Sequence, residues 1–191
     1  FFFKQKTAYE ISTRDWSSDV CSSDLISADG TLVAAQNYTP GGVKVFDART
    51  LALVADLPAG SRVVGLVDLP GRRFAYSLFD ADAICVADLS DPAHPRVQRF
   101  EGIGHQPYDA LVTPDGRHYV AGLFGEDGLA MLDLWAQAPQ PRRVLAGYGR
   151  GEQPLPVYKM PHLRGWAVAG DRKSTRLNSS HEWISRMPSS A

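Results

Sequence analysis

Three glycines and three aspartates, stepped by the same two intervals, constrain the 191-residue protein more than any other feature. Gly30, Gly71 and Gly116 each lie in a turn signal, while Asp47, Asp88 and Asp133 each close a short apolar run. Both sets advance by 41 and then by 45 residues. Two independent markers that move together define a repeat. In its clearest copy the runs 110–113, 118–123 and 129–132 are separated by Pro114-Asp115-Gly116 and Phe124-Gly125-Glu126-Asp127-Gly128. Short apolar runs bounded in this way form antiparallel strands joined by hairpins. A period of roughly 40 to 50 residues with four strands per unit is the pattern of a β-propeller blade. The expected fold class is all-β, a partial propeller of about three to three and a half four-stranded blades.

The two ends of the sequence read differently from its middle. Residues 4–25 and 171–191 can be written as translations of one DNA string taken on opposite strands, a string that resembles a sequencing-library adapter. The expected organisation is therefore 1–25 as an adapter-like segment, 26–170 as the partial propeller, and 171–191 as a second adapter-like segment, set aside as processing scars are. Cys21, the Asn178-Ser179-Ser180 sequon and the basic residues of the tail leave the functional argument with them. An arc of blades exposes two sheet faces, so the isolated fragment is expected to be aggregation-prone and inactive. The net charge of −1 gives no electrostatic footprint for nucleic acid, and no apolar run approaches the roughly 20 residues of a membrane helix.

Within 26–170 the expected elements are the end of an innermost strand and its turn at 26–30, then strands at 31–36, 43–46 and 51–57 in the first unit. The second unit takes 63–69, 74–78, 84–86 and 97–100, and the third adds 143–145 to the runs above. Residues 157–169 begin a fourth unit after a long loop. No stretch carries sustained helical periodicity. Cys85, mid-strand, reads as a small buried apolar residue.

In an up-and-down blade the second-to-third turn and the connection to the next blade share one face. By fold-level analogy that face is the functional mouth. It collects Tyr38, Arg62, Phe79, Asp80, Asp82, His105, Tyr108, Phe124, Glu126, Arg150, Lys159 and His162. It is richer in rings and cations than the Asp-Gly turns opposite, and suits a flat, aromatic, carboxylated ligand. Gly147-Tyr148-Gly149-Arg150-Gly151 does not follow a Rossmann strand or open a helix, which argues against a dinucleotide site.

Four segments carry a family resemblance: 36–47 (QNYTPGGVKVFD), 106–111 (QPYDAL), 121–128 (AGLFGEDG) and 157–163 (VYKMPHL). With them the sequence resembles the NirF family across essentially all of 26–170. The resemblance implies kinship with the heme d1 domain of cytochrome cd1 nitrite reductase, an eight-bladed propeller. It also implies a periplasmic role in making heme d1, as a late dehydrogenase acting on a dihydro-heme d1 precursor.

On that resemblance the ligand is a d1-type tetrapyrrole, with heme d1 assembly proteins or a nitrite reductase as further partners and the electron acceptor unassigned. His162, after a strand at the mouth, is the candidate axial ligand or acid–base group; a solvent-facing loop histidine is the alternative reading. Arg62, with Lys159 and Arg150, is a candidate carboxylate clamp, against a plain surface role. Tyr38 and Tyr108 are candidate stacking rings, or gap fillers between blades. His105 is a weaker cofactor-binding candidate among small polar neighbours. Two other functions stay open: the d1 domain of a nitrite reductase, and a non-catalytic interaction platform.

Overall fold

The computed structural model describes residues 24–126 and 128–146 and the strands Trp166–Val168 and Thr175–Leu177. Twelve strands form three consecutive four-stranded antiparallel sheets. The first holds β1 (Asp24–Ile26), β2 (Leu32–Asn37), β3 (Gly42–Asp47) and β4 (Leu53–Pro58). The second holds β5 (Val63–Leu69), β6 (Arg73–Leu78), β7 (Ala83–Asp88) and β8 (Arg96–Glu101). The third holds β9 (Pro107–Val112), β10 (His118–Leu123), β11 (Gly128–Asp133) and β12 (Arg142–Ala146). The strand order follows the sequence in every sheet, as in propeller blades. A final pair, β13 (Trp166–Val168) and β14 (Thr175–Leu177), is antiparallel, and its second strand lies inside the 171–191 segment. Among the described residues there is no helix.

Local chemistry explains why the markers recur. Asp47, Asp88 and Asp133 each pair with the first residue of the preceding strand, Leu32, Arg73 and His118 respectively. Each carboxylate then accepts a hydrogen bond from the backbone N–H two residues on, at Arg49, Ser90 and Trp135. That is the Asx-turn that steers the backbone out to the fourth strand. Gly30, Gly71 and Gly116 all adopt φ between 70° and 79°, the left-handed region where a side chain is disfavoured.

The sheets stack through their inner strands: β5 packs against β1 and β2 on one side and against β9 on the other. One apolar cluster, including Leu32, Val45, Phe74 and Leu78, fills the space between the first and second sheets. A second, including Leu69, Ile84, Tyr119 and Leu132, fills the next gap. Burying each such side chain is worth about 1.5–3 kcal/mol relative to leaving it in water. The second gap also holds a polar pin. Tyr119, fully buried, donates its hydroxyl to the Gly65 carbonyl at 2.8 Å and lies 2.8 Å from the Ser77 hydroxyl.

The strand boundaries differ from the sequence reading by a few residues at most. The first blade starts at Asp24, so it takes Asp24 and Leu25 from the adapter-like segment. β9 starts at Pro107 rather than Ala110, with Pro107 paired to Leu123. A proline is tolerated there because the first position of a strand is where a missing N–H costs the ladder least.

Candidate ligand-binding site

The turns between second and third strands bring one aromatic ring per repeat to the same face. Tyr38, Phe79 and Phe124 follow β2, β6 and β10 directly, and they obey the 41- and 45-residue offsets of the turn glycines. Phe79 is buried (7% exposed) and lies 5.8 Å from the Phe124 ring, centroid to centroid. Tyr108, from β9, closes the cluster, 5.8 Å from Phe79 in an edge-on arrangement and 5.2 Å from Phe124. Its hydroxyl lies 3.5 Å from that of Tyr38. These separations fall in the favourable range for aromatic pairs. Aromatic side chains from three blades thus meet in one cluster, Tyr38 joining through its hydroxyl.

Arg62 caps that cluster. It precedes β5, and its guanidinium carbon stands 4.3 Å from the Phe79 ring centroid. Its Nε approaches both Asp80 oxygens, at 2.9 and 3.1 Å, and its Nη2 also donates to Asp80. The pair holds the Asp80 carboxyl below its ordinary range, the Arg62 hydrogen bonds being the main cause. The Arg62 side chain remains 45% exposed. Among the described residues no hydrogen bond is made by its remaining nitrogen, Nη1, so one edge of the fork can meet a ligand oxygen.

His105 occupies the seam between the second and third blades. Its Nδ1 lies 3.0 and 3.2 Å from the two Asp82 oxygens, and Asp82 Oδ1 accepts the Gln106 N–H at 2.7 Å. Glu126 accepts the His105 N–H at 2.8 Å and an Arg143 hydrogen bond at 2.7 Å. Burial alone would push the Asp82 carboxyl up, but the Gln106 N–H and His105 together hold it below the usual value. Among the described residues, no group of three or more His, Cys, Asp or Glu side chains is arranged to hold a metal ion.

Of the residues singled out in the sequence, the structure brings Tyr38, Arg62 and Tyr108 together and places His105 beside them at the neighbouring seam. His162, Lys159 and Arg150 lie outside the described residues. The sequence places Phe79 and Phe124 on the same face as Tyr38, as observed, but they are not among the candidate site residues. The signal was present, since the offsets that link the glycines also link these two rings to Tyr38.

The family model described as the cytochrome D1 heme domain matches residues 5–191. The protein belongs to that family. Within the cytochrome D1 heme domain family it is similar to two curated proteins named NirF, as the motifs implied. It is 63% identical over 155 residues to that of Stutzerimonas stutzeri, covering 77% of this chain and 40% of the relative. It is 61% identical over 165 residues to that of Pseudomonas aeruginosa, covering 82% of this chain and 42% of the relative. The sequence therefore spans about two fifths of the length of these relatives. A solved structure described as the dihydro-heme d1 dehydrogenase NirN in complex with DHE aligns with a TM-score of 0.53 at 26% identity. That alignment covers 63% of this chain and 27% of the other.

Proposed function

We propose that this propeller mouth binds a d1-type tetrapyrrole, and that the full-length protein dehydrogenates its dihydro precursor during heme d1 formation. The carrying observation is the ring cluster from three blades with one Arg fork at its edge. A tetrapyrrole is flat, π-rich and bears carboxylates. Tyr38, Tyr108 and Phe124 bring aromatic rings to the mouth where a macrocycle would lie, Phe79 packs against Tyr108 and Phe124, and Arg62 brings a charged edge for a carboxylate. The residues present therefore fit such a group.

The related solved dehydrogenase, described with a bound ligand, supports the dehydrogenase reading, and the two NirF relatives favour it over the d1 domain of a nitrite reductase. A place in the periplasm rests on the family resemblance alone. The test is to titrate a d1-type tetrapyrrole into the full-length protein and follow its absorption spectrum. A saturable change, weakened by Arg62→Ala and by Tyr108→Ala, supports the reading. A spectrum identical to that of the free tetrapyrrole sinks it.

A further inference from the structure

Unusual backbone positions converge on one imidazole. Asp82 and Gln106 are both non-glycine residues in the left-handed region, at φ 50° and 51°, and they face each other across the Asp82 carboxylate. Residues held in this region away from glycine are costly and cluster at functional sites. Gly125 lies so close to the His105 ring that an added Cβ would stand 2.2 Å from its Cδ2. Gly104, at φ 121°, leaves room for the Glu126 carboxylate, which an added Cβ would meet at 2.5 Å. The ring is therefore held between the Asp82 carboxylate and the Gly125 backbone, with Glu126 holding its main-chain N–H, while its side chain stays 57% exposed.

The orientation decides the chemistry. A carboxylate only accepts hydrogen bonds, so Nδ1 carries the proton toward Asp82 and Nε2 is the lone-pair nitrogen. A carboxylate at Nδ1 therefore holds the imidazole in one tautomer and one orientation, with Nε2 left as the accepting nitrogen. Among the described residues, the other charges near it are those of Glu126 and Arg143, which pair with each other, and of Asp80, which is occupied by Arg62.

We infer that His105, oriented by Asp82, accepts a proton through Nε2 from a dihydro-type tetrapyrrole bound at the mouth. This rests on the proposed function and adds a residue and a step to it. In that step a C–H bond at the saturated position of the dihydro ligand breaks and its electron pair stays on the ligand. An N–H bond forms at Nε2, leaving imidazolium beside the Asp82 carboxylate. The step is a proton transfer alone and needs no oxidant.

It can therefore be read without turnover. Full-length protein is mixed with the dihydro-tetrapyrrole in heavy water, without any electron acceptor, and deuterium entering the ligand is followed by mass spectrometry. Wild-type protein is expected to accelerate exchange over the free ligand. In His105→Gln, with the rate normalised to the ligand bound as read from the absorption change, exchange is expected to fall about 100-fold or more, the scale of general-base catalysis. If His105→Gln also loses the absorption change, Asp82→Asn, which keeps the imidazole, decides the matter. Reduced exchange in Asp82→Asn supports the assignment. Wild-type exchange rates in a variant that binds, or no exchange in bound wild type, overturn it and leave the binding reading intact. No absorption change in wild type removes both.

Discussion

Arg62 is held twice, by the Phe79 ring 4.3 Å from its guanidinium carbon and by the Asp80 carboxylate along its Nε–Nη2 edge. The two restraints fix the plane of the guanidinium and leave its remaining edge to meet a ligand. They also set up a competition, because Asp80 already neutralises the charge that a ligand carboxylate would seek. Arg62→Ala is expected to weaken tetrapyrrole binding by the full-length protein about tenfold to a hundredfold, the scale of a charge-assisted hydrogen bond. Asp80→Asn is expected to act in the opposite direction and tighten it a few-fold. Absorption titrations measure both, and weaker binding in Asp80→Asn would show that the pair acts as one unit.

The Tyr119 pin between the second and third blades makes a separate prediction. Tyr119→Phe keeps the ring but leaves the buried Ser77 hydroxyl and the Gly65 carbonyl without that partner. The expected loss is about 1–3 kcal/mol in urea unfolding at unchanged m-value. A loss well under about 0.5 kcal/mol would mean that water replaces the phenol in the gap.

Gly65 tests how closely the same two blades must approach. It adopts φ 58°, and an added Cβ would stand 2.4 Å from the Tyr108 carbonyl oxygen. Gly65→Ala therefore carries both a backbone penalty and a clash with main-chain atoms that cannot rotate away. We expect it to destabilise the fold by more than about 2 kcal/mol and to disturb Tyr108, the ring that closes the mouth. Urea unfolding and the absorption titration report the two effects separately.

Acid should weaken the fold only well below neutrality. The Asp80 and Asp82 carboxyls sit below their ordinary value of 3.8, and Arg117 holds Asp133 down to about 2. A carboxyl depressed in the folded state contributes stability that is complete above its unfolded pKa and is lost as pH falls through the folded one. The urea midpoint is expected to be flat from about pH 7 to pH 5, and to drop below about pH 4 toward pH 2. A midpoint already falling between about pH 7 and pH 6 would point to histidine protonation instead.

Cys85 should be chemically silent. Its thiol is buried on β7 and burial pushes its pKa up to about 11. Alkylation of Cys85 at about pH 8, followed by peptide mapping, is expected to be at least about 100-fold slower in the folded protein than in urea. Comparable rates would show that the second sheet opens readily.

The repeat, the strands and the faces were legible before any contact was known, because their signals are local. An Asp at the strand end caps the next turn through its own neighbours' N–H groups, and a turn glycine satisfies a φ set by the four residues around it. Such chemistry needs nothing distant to be visible, which is why the sequence bounds Val63–Leu69 and His118–Leu123 to the residue and most others nearly so. The offsets even contain the ring of each blade, though a period in turns draws the eye sooner than a period in rim side chains. Which of those side chains meet was settled by packing alone. Tyr38 and Tyr108 are 70 residues apart, and Asp82 reaches His105 across 23, so their contact depends on how two inner strands pack and not on any local preference. Arg62 shows the same limit most plainly. Its place on the mouth could be read from the residue order, but its pairing with Asp80 and its seat on Phe79 exist because the folded second blade puts a turn beside the residue that precedes its first strand, where charge and ring can compete for one guanidinium.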